Sequence, residues 1–256
     1  MHTIELPPYA PTLIESTRAI GYSLEAAVAD IIDNSIAAGA KNVDIFFFPV
    51  DGAYVAILDN GNGMGTEELN SAMQYGSKNP IDARDAKDLG RFGLGLKTAS
   101  LSQCRCLTVV TKQGDRIEGR QWDVDHVTET GSWSLIVLEA EEFENIPNIN
   151  ELRAYESGTL VVWQKLDRLK AGEINFDQAL GRKIDGVREH LSLVFHRYLS
   201  GERGITKMKF LSMERKYQRL IRFLKQKAYR LWMMKHLLCM DRRLLCGLIF
   251  FHIYLK

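Results

Sequence analysis

Asp30 and Asn34 stand four residues apart in Asp30-Ile31-Ile32-Asp33-Asn34-Ser35. On a helix that spacing puts both side chains on one face. A carboxylate and an amide stacked there can hold a water and a hard cation such as Mg2+, which prefers oxygen ligands. The same pair also suits a solvated polar face. A second segment, Asp59-Asn60-Gly61-Asn62-Gly63-Met64, follows an apolar run. Its glycines let the backbone turn sharply and approach a ligand closely. A carboxylate at a strand end can accept a hydrogen bond from an exocyclic amine, although Asn-Gly is equally an ordinary turn signal. A Ca2+ loop fits poorly, because no Glu closes it. The third segment, Gly90-Arg91-Phe92-Gly93-Leu94-Gly95-Leu96-Lys97-Thr98, runs G-x-x-G-x-G into a helix start. Backbone N–H groups at a helix start favour phosphate, and Lys97 adds a positive charge nearby. The segment has neither P-loop spacing nor the G-x-G-x-x-G of a dinucleotide fold.

These segments need elements to position them. Residues 12–38 are predicted helical, with Ser23 as an N-cap. Leu24, Ala27, Val28, Ile31, Ile32 and Ile36 recur at helical spacing, and Gly39 stops the run. Residues 42–48 and 53–58 are predicted strands joined by a turn at Pro49–Gly52. A short helix near 66–74, a polar stretch over 76–88 and a helix over 96–102 follow. Strands are expected at 105–111, 115–122, 133–139 and 158–163. Residues 177–199 form an amphipathic pattern carried by Leu180, Ile184, Val187, Leu191, Val194, Phe195 and Leu199. The expected fold class is α+β: a two-layer sandwich of a mostly antiparallel sheet with helices on one face.

Composition narrows the class. Of 256 residues, 46% are hydrophobic and 25% charged, which excludes wholesale disorder. The net charge of +1 hides an asymmetry, because residues 214–256 carry 11 Lys/Arg against 2 Asp/Glu. The tail is thus about +9 and the rest about −8. Cys104, Cys106, Cys239 and Cys246 lack zinc-site spacing and suit unpaired thiols in a reducing compartment. The N-terminus lacks the pattern of a signal peptide, and no run of 18 apolar residues exists, so a cytoplasmic protein without a membrane partner is expected.

Taken together and in this order, the three segments resemble those of the GHKL (Bergerat-fold) ATPase superfamily. Asp30–Ala40 is similar to the MutL segment. Gly90–Lys97 is closer to the MORC ATPases and to bacterial stand-alone, Hsp90-like ATP-binding proteins. The resemblance spans roughly residues 13–165 and implies ATP and Mg2+ as ligands. It makes Asn34 the magnesium ligand and Asp59 the acceptor for the adenine amine. Gly61 and Gly63 become the turn beside the base, and Met64 its apolar contact. Residues 76–89 match a lid. Gly90, Gly93, Gly95, Leu96 and the backbone up to Lys97 match the phosphate-binding turn, and Thr159 the support of the adenine carboxylate. Asp30 stands where hydrolysing members usually place Glu, as the catalytic carboxylate that orients water. Asp is one methylene shorter, and in-line attack is sensitive to placement. Asp33 is expected to point elsewhere. His190 and His196 lack a phosphoacceptor context, which argues against a sensor histidine kinase.

The expected function is Mg-dependent ATP binding with slow hydrolysis, driving lid closure and homodimerisation through the lid or N-terminal segment. The alternatives are a nucleotide-binding switch without turnover, or a binder of nucleic acid or membrane through the basic tail. The domains expected are 1–208, the ATP-binding domain, and 209–256, an anomalous basic tail. Back-translation of Leu211–Met240 with A/T-rich synonymous codons chosen, read from the third base of the Leu211 codon, gives an open frame containing the I-D-P-F motif of related stand-alone ATPases. The tail is therefore expected to be a frameshift product replacing a longer C-terminal region. Resequencing codons 205–215 decides this, and an intact frame shared by close relatives would sink it. A DNA-related partner is a further expectation from the resemblance.

Overall fold

The computed structural model describes residues 2–4, 6–49, 52–76, 95–174, 176–201 and 209–212. Gly90, Gly93, most of the expected lid and the tail beyond Ser212 lie outside the described residues. Packing divides the chain into Met1–Ser212 and Met213–Lys256, and only the first unit is described below.

Two helices stand where one helical stretch is predicted: α1 (Ala10–Arg18) and α2 (Leu24–Ala37). Ser23 is the N-cap of α2, as expected, and its Oγ accepts from the Ala26 N–H at 3.2 Å. The apolar run then forms β1 (Asn42–Phe48) and β2 (Tyr54–Asp59), paired antiparallel from Phe48↔Tyr54 to Val43↔Asp59. Next come α3 (Thr66–Met73), α4 (Gly95–Leu101), β3 (Cys106–Gln113), β4 (Arg116–Asp123) and α5 (Val124–Thr130). After β5 (Ile136–Val137) come α6 (Ile149–Arg153), β6 (Ser157–Gln164), α7 (Asp167–Lys170), α8 (Phe176–Val194), α9 (His196–Ser200) and β7 (Lys209–Ser212).

The sheet order is β5-β4-β3-β6-β2-β1-β7. All pairings are antiparallel except β7 on β1. This is the expected α+β sandwich. Alternate residues Val43, Ile45, Phe47, Val55, Ile57, Leu107, Val109, Val161 and Trp163 join the main core with Ile14, Val28, Ile31, Ile32, Ile184 and Leu191 of the helices. On the other face α6 packs against β2 and β6, and the Tyr155 hydroxyl donates to Asp44 Oδ2 of β1 at 3.1 Å. No helix among the described residues is long and apolar enough to cross a membrane.

Two further expectations change in detail. The strand predicted over 133–139 is reduced to Ile136–Val137, because the Trp133 ring packs on Tyr75 and Trp122 instead of extending the sheet edge. The helix predicted over 177–199 breaks at Phe195, which is 2% exposed and turns its backbone out of the helical region. Helices α5, α6 and α7 are too short to show a periodic pattern.

One buried charge fixes the helical layer. Arg18 of α1 is 2% exposed. Its Nε donates to the Leu101 carbonyl at the end of α4 at 2.8 Å, and its guanidinium reaches Asp167 at 2.7 Å and Glu15 at 2.9 Å. A buried guanidinium paired this fully locks α1 and α7 to the end of α4, because removing either partner would strand the charge.

Candidate nucleotide site

The end of β2 brings Asp59 beside Thr159 of β6 and Val43 of β1. Asp59 is 5% exposed. Its Oδ1 accepts from the Gly61 N–H at 2.8 Å, and its Oδ2 accepts from Ser35 Oγ at 2.9 Å. Ser35 follows Asn34 on α2, so this bond joins helix to strand end. Burial pushes the Asp59 carboxyl up, against smaller downward pulls from the Gly61 N–H, the Ser35 hydroxyl and the Thr159 N–H. Among the described residues no cation pairs with it.

The loop after Asp59 is tied at nearly every residue. Asn60 Oδ1 accepts from the N–H groups of Lys41 at 2.9 Å and Asn42 at 2.8 Å. The Asn62 N–H donates to the Ala38 carbonyl at 2.9 Å, Ser157 Oγ donates to the Gly61 carbonyl at 2.7 Å, and the Met64 N–H donates to Thr111 Oγ1 at 2.6 Å. Gly63 has φ +65°, and a Cβ there would stand 2.3 Å from the Lys112 carbonyl oxygen. A Cβ on Gly158 would stand 2.1 Å from the Asp59 carbonyl oxygen. Only glycine lets these backbones close together. Met64 is partly buried against the core, and Thr159 is buried.

The other half of the site is more open. Asp30 is partly buried and Asn34 exposed, one turn apart on α2. Gly95 opens α4 against Asp30: a Cβ on it would lie 3.7 Å from Asp30 Oδ2. Burial pushes the Asp30 carboxyl up, with the Tyr22 hydroxyl pulling the other way. Asp33 is raised by burial and by the charge of Asp30, so the two carboxylates feel each other. Leu96 is partly buried against the core. Lys97 is 1% exposed, its Nζ donates to the Ala72 carbonyl at 2.6 Å, and burial lowers its pKa to about 8.

The structure therefore gathers Asp59, Gly61, Gly63, Met64 and Thr159 at one end of α2, and sets Asp30 against Gly95 nearer its start. Asn34 lies between them. Gly90 and Gly93 lie outside the described residues. Ser35, Thr111, Ser157 and Tyr22 were not singled out in the sequence. Only Ser35 carried a signal, its place beside Asn34. The donor set fits a purine nucleotide with a divalent cation. One end offers a buried acceptor that no cation among the described residues meets, and the other offers oxygen ligands at helical spacing beside a glycine-opened helix.

A profile of the family described as histidine kinase-, DNA gyrase B- and HSP90-like ATPases matches residues 22–159, more than half of the chain. The chain is similar to the ATPase morc-1 of Caenorhabditis elegans, 32% identical over 89 residues that cover 34% of this chain and 10% of that protein. It is also similar to the DNA mismatch repair protein MutL of Shewanella sediminis, 30% identical over 98 residues, 38% of this chain and 16% of that protein. The MutL of Bradyrhizobium diazoefficiens is 24% identical over 159 residues, 58% of this chain and 24% of that protein. The chain thus spans at most 24% of the length of these relatives.

Proposed function

The chain belongs to the histidine kinase-, DNA gyrase B- and HSP90-like ATPases, and from that premise we propose that it binds ATP with Mg2+ along α2 and hydrolyses it slowly. The observation that carries this reading is that α2 serves both halves of the site: Ser35 holds Asp59, while Asp30 faces Gly95. Asp59 accepts from the adenine amine, with Gly61, Gly63 and Met64 lining the base and Thr159 supporting the carboxylate. Asn34 ligates Mg2+, which when bound neutralises phosphate charge. Gly90, Gly93, Gly95 and the backbone of Leu96 and Lys97 cradle the phosphates.

Asp30 orients the attacking water. The water oxygen bonds to the γ-phosphorus, the bond to the β–γ bridging oxygen breaks, and Asp30 takes the water proton. A carboxyl raised by burial supports that proton transfer. The short Asp side chain supports a second reading, a nucleotide switch without turnover. Lid closure, dimerisation through the lid or N-terminal segment, and a DNA-related partner suggested by the names of the relatives complete the proposal.

The test is calorimetric titration with a non-hydrolysable ATP analogue, with and without Mg2+, beside Asp59→Ala. Mg-dependent binding lost in the variant is the expected result. A folded wild type that binds nothing would overturn the reading. Single-turnover hydrolysis by wild type and Asp30→Asn then separates enzyme from switch.

A further inference from the structure

The last carbonyls of a helix lack intrahelical partners. In α3 two of them are met by buried side chains from elsewhere in the fold. Lys97 Nζ donates to Ala72 O at 2.6 Å, and Trp122 Nε1 donates to Met73 O at 2.8 Å. Both donors are buried, Lys97 at 1% exposure and Trp122 at 4%. Gln74, the C-cap, is already extended, so the chain leaves α3 at this point. Lys97 lies two residues after Gly95, at the point where the chain returns.

Burying an ammonium is costly, and an aliphatic side chain of similar length would fill the same space without that cost. What the lysine adds is a strong donor and a positive charge at the negative end of the α3 dipole. Its distance to Ala72 O is short, as charge-assisted bonds are. At neutral pH it stays largely protonated, since its pKa falls only to about 8.

We propose that Lys97 is a positioning residue: its ammonium clamps the first turn of α4 to the last turn of α3, and so holds Gly95 against Asp30 before any nucleotide arrives. The side chain then acts on the protein, while the phosphate role stays with the Lys97 backbone. The link to Gly95 and Asp30 rests on the nucleotide reading above; the clamp on α3 does not.

Hydrogen exchange on nucleotide-free protein reads the clamp directly. In Lys97→Met the amides of Ser71–Gln74 exchange about tenfold faster than in wild type, and Lys97→Arg restores most of the protection. Lys97→Gln, which keeps a donor without the charge, falls between them and serves if Lys97→Met fails to fold. Affinity for the ATP analogue falls about tenfold in Lys97→Met, while competition by adenosine changes less than twofold. Unchanged exchange in Lys97→Met and Lys97→Gln overturns the clamp, whatever the analogue does. Unchanged exchange with lost analogue binding assigns Lys97 to the phosphates instead. Faster exchange in a protein whose wild type binds no analogue supports the clamp and overturns the nucleotide reading alone.

Discussion

The two halves of the site along α2 are built on opposite plans. At the C-terminal end Asp59 is buried, both its oxygens are engaged, and the following loop is hydrogen-bonded through Asn60, Gly61, Asn62 and Met64. In the other half Asp30, at mid-helix, is only partly buried, Asn34 is exposed, and Asp33 adds a second carboxylate that raises the electrostatic cost of charging. The first end is finished without ligand. The second carries charge that a cation would neutralise. On the proposed reading, pre-organisation suits the part that discriminates a base, because its hydrogen bonds cost nothing to arrange at binding. An open, acidic end suits a part completed by a metal and phosphates.

The largest test of this contrast is Asp59→Asn. The amide keeps the shape and can still accept from Gly61, but it meets an exocyclic amine with one acceptor fewer. Affinity for the ATP analogue falls at least about 100-fold, as for a site that loses a buried hydrogen bond to its ligand. The same change stabilises the unliganded protein by roughly 1 kcal/mol, or about 3 °C in Tm, because it removes a buried carboxylate that no cation among the described residues pairs with. The pH sign follows from the raised Asp59 pKa. Its contribution to stability is present below the unfolded value and is lost as pH rises through the folded value. The Tm advantage of Asn is therefore small near pH 4 and grows toward pH 7. An advantage that shrinks with pH would contradict the burial argument.

Close packing of the finished end is tested by Gly63→Ala. The new Cβ meets Lys112 O at 2.3 Å on a backbone at φ +65°. Stability falls by about 2 kcal/mol, read from denaturant midpoints. Gly114→Ala is the control: its φ is +59° with nothing within 4 Å, so it reports the left-handed strain alone and costs about half as much. Equal losses would mean that the close approach is irrelevant.

Much of this site is legible locally, and what is hidden is long-range. Asp30 with Asn34, and Asp59 with its two glycines, are readable because period and turn chemistry act over a few residues. Ser35 reaches Asp59 across 24 positions, Thr111 reaches Met64 across 47, and Lys97 reaches Ala72 across 25. Nothing at either partner announces the other. The same holds for the fold. The periodicity of 24–36 gave α2, whereas the loss of strand at 133–135 depends on where Tyr75 and Trp122 place an aromatic surface.

The open end is probed by Asn34→Ala. The side chain is exposed and makes no hydrogen bond among the described residues, so Tm is unchanged and helix propensity slightly improves. Analogue affinity in the presence of Mg2+ falls about tenfold, while affinity in EDTA stays within twofold of wild type. An equal loss under both conditions would move Asn34 from metal ligand to direct nucleotide contact.

The smallest expected effect is the most informative about the contrast, because Ser35 follows Asn34 on α2 and holds Asp59. Its hydroxyl donates to Asp59 Oδ2 at 2.9 Å and lies 3.3 Å from the Ile31 carbonyl. It is 2% exposed, so no water replaces it readily. Ser35→Ala leaves one carboxylate oxygen short of a donor, which costs about 1 kcal/mol and raises the Asp59 carboxyl further. A higher pKa shifts Asp59 toward the protonated form, a poorer acceptor for an amine. Analogue affinity therefore falls about fivefold at pH 7, and the loss widens as pH is lowered. The Mg2+ dependence stays as in wild type, since Asp30 and Asn34 are untouched. A Ser35→Ala protein that loses its Mg2+ dependence would mean that the two halves of the site are mechanically one, and the contrast drawn between them would fall.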